Sequence, residues 1–276
     1  MKHSSLYLNW YIHVPKVKYD FCSSGLNYFK YNLKLEEVDL SINYTSGNPD
    51  AAELLAHRYN VRPENVFISS EGASGQNARI IRYLAEKNER KREAVVEYPT
   101  YEPLLRQVQE HFPRVKRLER KENELYRLDA EQLRKKVSEK TGLLVLTNPH
   151  TPSGAIATAS ELKEIMTVAS EYEFYVLCDE IYAEFDRNVI LTIFSVDQEL
   201  GIVTTSFTKA YGLGGLKLGI AIAKEDLVNE LYLDVLNTVG NSPNIVALIA
   251  VELLTNGGEK LEKHKQKWVS LKNETE

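Results

Sequence analysis

Five short runs of the 276-residue chain are apolar almost without interruption: NVFISS (65–70), AVVEY (94–98), GLLVLT (142–147), FYVLCDE (174–180) and GIVTTSF (201–207). A strand with one wet face alternates apolar and polar residues, whereas a continuous run reads as a strand covered on both faces. Between the runs lie stretches of helical spacing. After the first, Ala78, Ile81 and Leu84 or Ala85 recur at helical intervals. EPLLRQVQEHF (102–112) and the polar-surfaced DAEQLRKKVSEK (129–140) are also helix-like. Thr158 and Glu161 form a T-x-x-E capping box that opens ELKEIMTVASEY (161–172). Strands alternating with helices predict an α/β fold of three layers, a mostly parallel sheet between two layers of helix.

Ligands of such sheets bind beyond the carboxyl ends of the strands. The turns that follow the runs are EGASG, YPTYEP, NPHTPSG, DEIY and TKAYG. All are polar, aromatic or glycine-rich, and all are expected along one rim.

Composition excludes several classes. The net charge of −5 leaves no basic footprint for nucleic acid. The run containing Lys87, Arg90, Lys91 and Arg92 is interrupted by Glu86, Glu89 and Glu93, as at a solvated helix end. Cys22 and Cys178 are far apart and in no CxxC spacing, which argues against a disulfide scaffold or zinc site and for a reducing, cytoplasmic compartment. The first residues, MKHSSLYLNWYIHVPKV, contain no uninterrupted apolar core, so no signal peptide is expected. Nothing approaches the roughly 18 apolar residues needed to cross a membrane.

Lys209 carries the most chemical information. It follows an apolar strand and precedes AYGLGG. A partly buried lysine at a strand end has a lowered pKa, and its neutral amine can form a Schiff base. Ser206, Thr208 and the glycines offer hydroxyls and close backbone approach, which suit a phosphate, and Lys217 adds a cation. GLGGLKLG is not GxGxxG, because Lys217 stands where the third glycine belongs, and GxxxxGK[ST] does not occur. Gly72, Ala73, Ser74 and Gly75 lie between a strand and a helix, where free N–H groups make an anion site; taken alone, this stretch is equally compatible with an ordinary strand-to-helix turn. Asp179 leaves an apolar strand, a position costly for a carboxylate unless it meets a cation or metal. Only Glu184 and Asp186 lie nearby in sequence, so no metal site is expected.

Together these segments resemble the lysine signature of fold-type I, class I/II aminotransferases, which depend on pyridoxal phosphate. Ser206 to Gly219 matches that signature, DEIY and NPHTPSG resemble the family's aspartate–tyrosine and N-P-x-N-P-T-G segments, GAS (72–74) its phosphate cup and YPTYEP its aromatic stacking segment, in the family's chain order. The resemblance runs from about Gly25 to the C-terminus. It implies transfer of an amino group between an amino acid and a 2-oxo acid through a Lys209 Schiff base. Lys209 would also be the proton-shuttling base and acid, Asp179 would pair with the pyridinium nitrogen, Tyr182 would hydrogen-bond the ring oxygen and Tyr101 would stack on the ring. Gly72 would belong to the phosphate cup, and the backbone N–H groups of Ala73 and Ser74, the Ser206 and Thr208 hydroxyls and Lys217 would hold the phosphate. Tyr44 resembles the tyrosine that reaches the phosphate in a partner subunit, so a homodimer with shared sites is implied. Gly25 lies where an N-terminal segment would cover the substrate carboxylate.

The chain departs from the pattern in three places. Asn148 keeps the first asparagine, but Thr151 stands where the family has the asparagine that contacts the ring oxygen; both are expected to bind the cofactor, Thr151 through one hydroxyl hydrogen bond of shorter reach. Lys217 replaces an arginine and loses its bidentate fork. The family continues beyond the position of Glu276 into a C-terminal domain with a carboxylate-clamping arginine, so an incomplete small domain is expected. The implied organisation is an N-terminal segment (1–40), a large cofactor-binding domain (41–240) and helices leading to the C-terminal domain (241–276). Two alternatives remain open: a related decarboxylase or lyase with the same cofactor, and a non-catalytic cofactor-binding remnant.

Overall fold

The computed structural model describes residues 6–18, 24–25, 31, 41–42, 44–186 and 191–275. Cys22 and most of the expected N-terminal segment lie outside these. In chain order the elements begin with α1 (Leu6–Ile12), α2 (Pro49–Tyr59), β1 (Val66–Ser69), α3 (Gly72–Lys87), β2 (Glu93–Tyr98) and α4 (Glu102–His111). They continue with β3 (Arg114–Glu119), α5 (Ala130–Arg134), β4 (Thr141–Thr147), α6 (Ala159–Tyr172) and β5 (Tyr175–Asp179). The last are α7 (Ile193–Val196), β6 (Gly201–Thr205), β7 (Gly219–Ile222), α8 (Glu225–Val239), α9 (Asn244–Thr255) and α10 (Gly258–Thr275). The chain divides into two compact units: Met1–Ser24 with Asn77–Asp179 and Ile190–Gly201, and Gly25–Gln76 with Glu180–Val189 and Ile202–Glu276.

In the first unit the strands run β3-β2-β4-β5, and each pair is parallel. Every residue of β4 is buried, and β2 is buried up to Tyr98. That burial explains why their sequences are continuous rather than alternating. β3 was not visible in the sequence. RVKRLE is an edge strand in which only Leu118 is fully buried, and its charges protect the edge from further pairing. Helix α6 begins at the expected capping box: Glu161 N–H donates to Thr158 Oγ1 (3.2 Å) and Thr158 N–H to Glu161 Oε2 (2.7 Å). The helix expected over 129–140 is shorter and ends at Arg134; beyond it Ser138 serves two neighbours. Its N–H donates to Thr141 Oγ1 (2.9 Å) and its hydroxyl to the buried Glu93 carboxylate (3.1 Å).

In the second unit β7 pairs antiparallel with both β1 and β6. β1 and β6 therefore run in the same direction and end on one edge. β7 was hidden within the glycine-rich run, of which Gly219 is its first residue. An added Cβ there would stand 2.7 Å from the Gly72 carbonyl oxygen and 2.9 Å from Ser69 Oγ. Only glycine lets β7 come this close to the start of α3. Helix α8 buries Leu227, Val228 and Leu231, and its Tyr232 ring meets Phe67 edge-on at 4.7 Å. Among the described residues no helix is long and apolar enough to cross a membrane.

Two substitutions test these local arguments in urea denaturation. Thr158→Ala removes an N-cap and lowers stability by about 1 kcal/mol. Gly219→Ala forces its neighbours apart and lowers stability by about 1–3 kcal/mol.

Candidate active site

The turns expected on one rim fall into two sets. In the first unit the parallel β2, β4 and β5 bring YPTYEP, NPHTPSG and Asp179 to their common carboxyl edge. In the second unit β1 and β6 deliver EGASG and the Lys209 turn to theirs.

Lys209 is half-buried, between the fully buried Phe207 and Tyr211. Its Nζ lies 5.8 Å from the centroid of the Tyr182 ring, within cation–π range. An added Cβ on Gly25 would stand 3.7 Å from Lys209 Cδ and 3.4 Å from the Thr208 carbonyl, so Gly25 lies against this turn. Ser206 Oγ and Thr208 Oγ1 are 2.7 Å apart, and Thr208 N–H donates to Ser206 Oγ (3.2 Å). Two hydroxyls that share one mutual bond keep a second O–H to offer a ligand. At the head of α3, Gly72 N–H donates to the Lys217 carbonyl (2.8 Å). Gly72 has φ +67° and Lys217 φ +55°. The first favours glycine; the second is unusual for lysine and directs an exposed side chain from a turn pinned to the helix start. Ala73 is buried and Ser74 exposed. The start of α3, the Ser206–Thr208 hydroxyl pair and Lys217 thus supply donors and a cation of the kinds that suit a phosphate. Tyr44 lines a cavity with Ser69, Tyr232 and Asn241 to Asn244 in the same unit.

In the first unit Asp179 is buried at the end of β5, and Asn77 Nδ2 donates to its Oδ2 (2.7 Å). Asn77 was missed in the sequence. The available signal was a polar residue on the apolar, sheet-facing side of α3. Tyr101 meets Tyr7 edge-on at 5.5 Å. Burial, then Tyr7, then the Asp179 carboxylate push its hydroxyl well above the usual tyrosine pKa, so it stays a neutral aromatic. Asn148 is already committed: its Nδ2 donates to the Leu191 carbonyl (3.3 Å) and its Oδ1 accepts from Ala157 N–H (3.1 Å). It braces the turn. Thr151 is half-buried, and its N–H donates to Thr147 Oγ1 (2.8 Å).

Beneath these turns lies a buried polar network that the sequence reading also missed. Glu97 and Arg120, each almost fully buried, pair at 2.9 Å, and the Thr147 hydroxyl donates to Glu97 Oε1. His150 Nε2–H donates to the Pro99 carbonyl (3.0 Å) and its Nδ1 accepts from Ser153 Oγ (2.6 Å), so it ties the Tyr101 turn to the NPHTPSG turn as a neutral imidazole. Burial and then the Arg120 charge lower its pKa to about 4. Burial raises that of Glu97 to about 7 against the pull of Arg120. Among the described residues no group of three His, Cys, Asp or Glu side chains is placed to hold a metal ion.

Each unit is an α/β assembly whose strands end in polar turns, one set carrying Lys209 and the other the buried Asp179. The model of aminotransferase class I and II matches residues 37–274, and the chain belongs to that family. It is 30% identical over 202 residues to histidinol-phosphate aminotransferase 2 of Carboxydothermus hydrogenoformans, covering 71% of this chain and 53% of that protein. It is 24% identical to the aspartate aminotransferase of Pyrococcus horikoshii, covering 76% and 54%. Among solved structures, the Thermus thermophilus aspartate aminotransferase with maleate superposes with a TM-score of 0.73 at 21% identity, over 80% of this chain and 60% of that one. A PLP-dependent aminotransferase from Streptococcus suis gives 0.72 at 26% identity, over 82% and 59%. The chain thus spans about half the length of these curated relatives.

His150 makes acid stability testable. Its folded pKa of about 4 is below the ordinary 6.5, so the unfolded chain binds the proton first. The stability it supports is complete above pH 6.5 and declines as pH falls towards about 4. Glu97, with a raised pKa, acts in the opposite direction. His150→Gln should therefore show a shallower loss of stability than the parent between these limits, read from urea midpoints across a pH series.

Proposed function

We propose that this chain is the cofactor-binding part of a pyridoxal-phosphate-dependent aminotransferase that moves an amino group between an amino acid and a 2-oxo acid. The carrying observation is the placement of the Lys209 amine against the Tyr182 ring, on the turn that also presents Ser206 and Thr208. Membership of the family supports the cofactor, and the donor set fits it. Pyridoxal phosphate supplies an aldehyde for an amine and a ring that draws electrons from the substrate Cα.

The chain's own residues have separable tasks. The backbone N–H groups of Ala73 and Ser74, the Ser206 and Thr208 hydroxyls and the Lys217 ammonium would bind the phosphate, while Gly72, whose N–H is held by the Lys217 carbonyl, gives the turn its shape. Lys217 would bind the phosphate as a point charge rather than a fork. Asp179, oriented by Asn77, holds a proton on the ring nitrogen by charge. Tyr182 would donate a hydrogen bond to the ring oxygen, and Tyr101 would supply an aromatic face for stacking. The Lys209 amine would hold the cofactor and, once displaced by the substrate amine, would carry a proton from the substrate Cα to the cofactor C4′, as general base and then general acid. Gly25, which lies against the Lys209 turn, would belong to the N-terminal segment that covers the substrate carboxylate. Thr151 offers a shorter hydrogen-bonding reach than asparagine, and Asn148 shapes the turn. A homodimer in which Tyr44 reaches the partner's phosphate, and a cytoplasmic setting in which the buried thiol of Cys178 stays reduced, complete the reading.

Absorption spectroscopy tests it. Added pyridoxal phosphate should give a band at roughly 400–430 nm that Lys209→Ala abolishes. Asp179→Asn should keep the lysine linkage but weaken retention of the cofactor and suppress half-transamination by at least about tenfold, the effect of losing one charge-assisted bond. A chain that forms no such band contradicts the proposal.

A further inference from the structure

Behind the Lys209 turn lies a charged cluster that has no part in holding the phosphate or the ring. Arg58, from α2, sends Nη2 to Glu184 Oε2 at 2.7 Å and to Glu262 Oε1 at 3.3 Å, and also contacts the Tyr211 hydroxyl. That hydroxyl lies 3.0 Å from Glu184 Oε2 and 2.8 Å from Glu262 Oε1. Lys265 Nζ pairs with Glu262 (2.7 Å) and donates to the Glu184 carbonyl (3.1 Å). Glu184 is fully buried and Tyr211 almost so. A carboxylate in that setting must be paired, and here two cations balance two carboxylates.

The positions of these residues along the chain give the cluster its meaning. Phe207 and Tyr211 flank Lys209 at two residues on either side, and both rings face the Arg58 guanidinium, at 5.5 and 5.4 Å. The two rings also meet edge-on at 5.3 Å. The lysine turn is therefore clamped on both shoulders to one cation, while the Lys209 amine is directed to Tyr182. Glu184 stands two residues after Tyr182, in the short turn Ala183–Phe185. One ion pair thus holds the segment that carries the amine and the segment that carries its aromatic neighbour.

We propose that Arg58, Glu184 and Tyr211 are positioning residues that set the Lys209 amine against Tyr182, with Glu262 and Lys265 of α10 closing the cluster. This rests on the reading of Lys209 as the cofactor lysine. The geometry makes the tie local: the Tyr211 hydroxyl joins the lysine turn to Glu184, and loss of that oxygen frees the turn without emptying the core.

Reductive methylation of the cofactor-free chain, with each lysine quantified by peptide mass spectrometry, reads the amine directly. Tyr211→Phe should raise the methylation rate of Lys209, relative to the exposed Lys217, by about fivefold, the factor that one net hydrogen bond confers. With pyridoxal phosphate added, the dissociation constant read from the Lys209-dependent band should rise by a similar factor. Tyr232→Phe removes another buried hydroxyl, one that accepts from Ile68 N–H elsewhere in the unit, and it should change neither value. Should Tyr211→Phe fail to fold, Glu262→Gln at the exposed end of the cluster should move both values in the same direction. Parent-like values in the cluster variant, or an equal rise in Tyr232→Phe, would overturn the proposal. The cofactor assignment fails separately, if the parent chain shows no Lys209-dependent band, and the methylation rates still report on Tyr211 in that event.

Discussion

The carboxylate of Asp179 stands at the end of a strand whose preceding residues, Val176 to Cys178, are fully buried. Desolvating that group is costly unless its lone pairs are met. Much of the first unit follows from meeting them. Asn77 has to face the strand end, which fixes the rotation of α3 about its axis. The Asp179 carbonyl accepts from Asn148 N–H (3.1 Å), so the same residue sets where the turn after β4 begins. A parallel arrangement of β2, β4 and β5 then places every polar turn of the unit at the edge where the carboxylate lies.

Both units support their turns in the same way. In each, a buried cation–carboxylate pair lies under the chemistry-bearing residues and reaches them through hydroxyls: Glu97 and Arg120 through Thr147, Arg58 and Glu184 through Tyr211. Buried ion pairs add little net stability, because desolvation offsets their attraction. What they add is directional constraint. A side chain held by two or three charged hydrogen bonds has one acceptable rotamer, whereas an apolar contact of the same size tolerates several. Where one turn must present an amine and another an aromatic ring, that constraint matters more than the net energy.

The sequence was legible where burial acts on consecutive residues. GLLVLT and FYVLC announce themselves because strands covered on both faces have no polar positions. Thr158 and Glu161 announce a helix start because the capping box is contained within four residues. Lys209, Asp179 and Tyr182 were legible as candidates because each sits at the carboxyl end of such a run. The rest depends on partners distant in the chain. Asn77 meets Asp179 across 102 residues, and Arg58 meets Glu184 across 126. No local spacing encodes either contact. β3 escaped because an edge strand is selected for charge, and β7 because a run of four residues beginning at a glycine reads as the end of a turn.

The two substitutions in the family pattern have different structural settings. Lys217 has exchanged the planar fork of arginine for a flexible ammonium, yet its backbone is held more tightly than its side chain: the left-handed φ and the bond from Gly72 N–H fix where the lysine leaves the turn. Thr151 is the reverse case. Its side chain is shorter than asparagine, and its position is set by its own N–H, which donates to Thr147 Oγ1. That hydroxyl must also donate to Glu97, so its single proton is directed at the carboxylate and its lone pair at Thr151. The orientation of the NPHTPSG turn thus depends on a carboxylate that burial brings to the edge of ionisation near neutral pH. Arg120 is what keeps that carboxylate an acceptor and thereby keeps Thr151 in place.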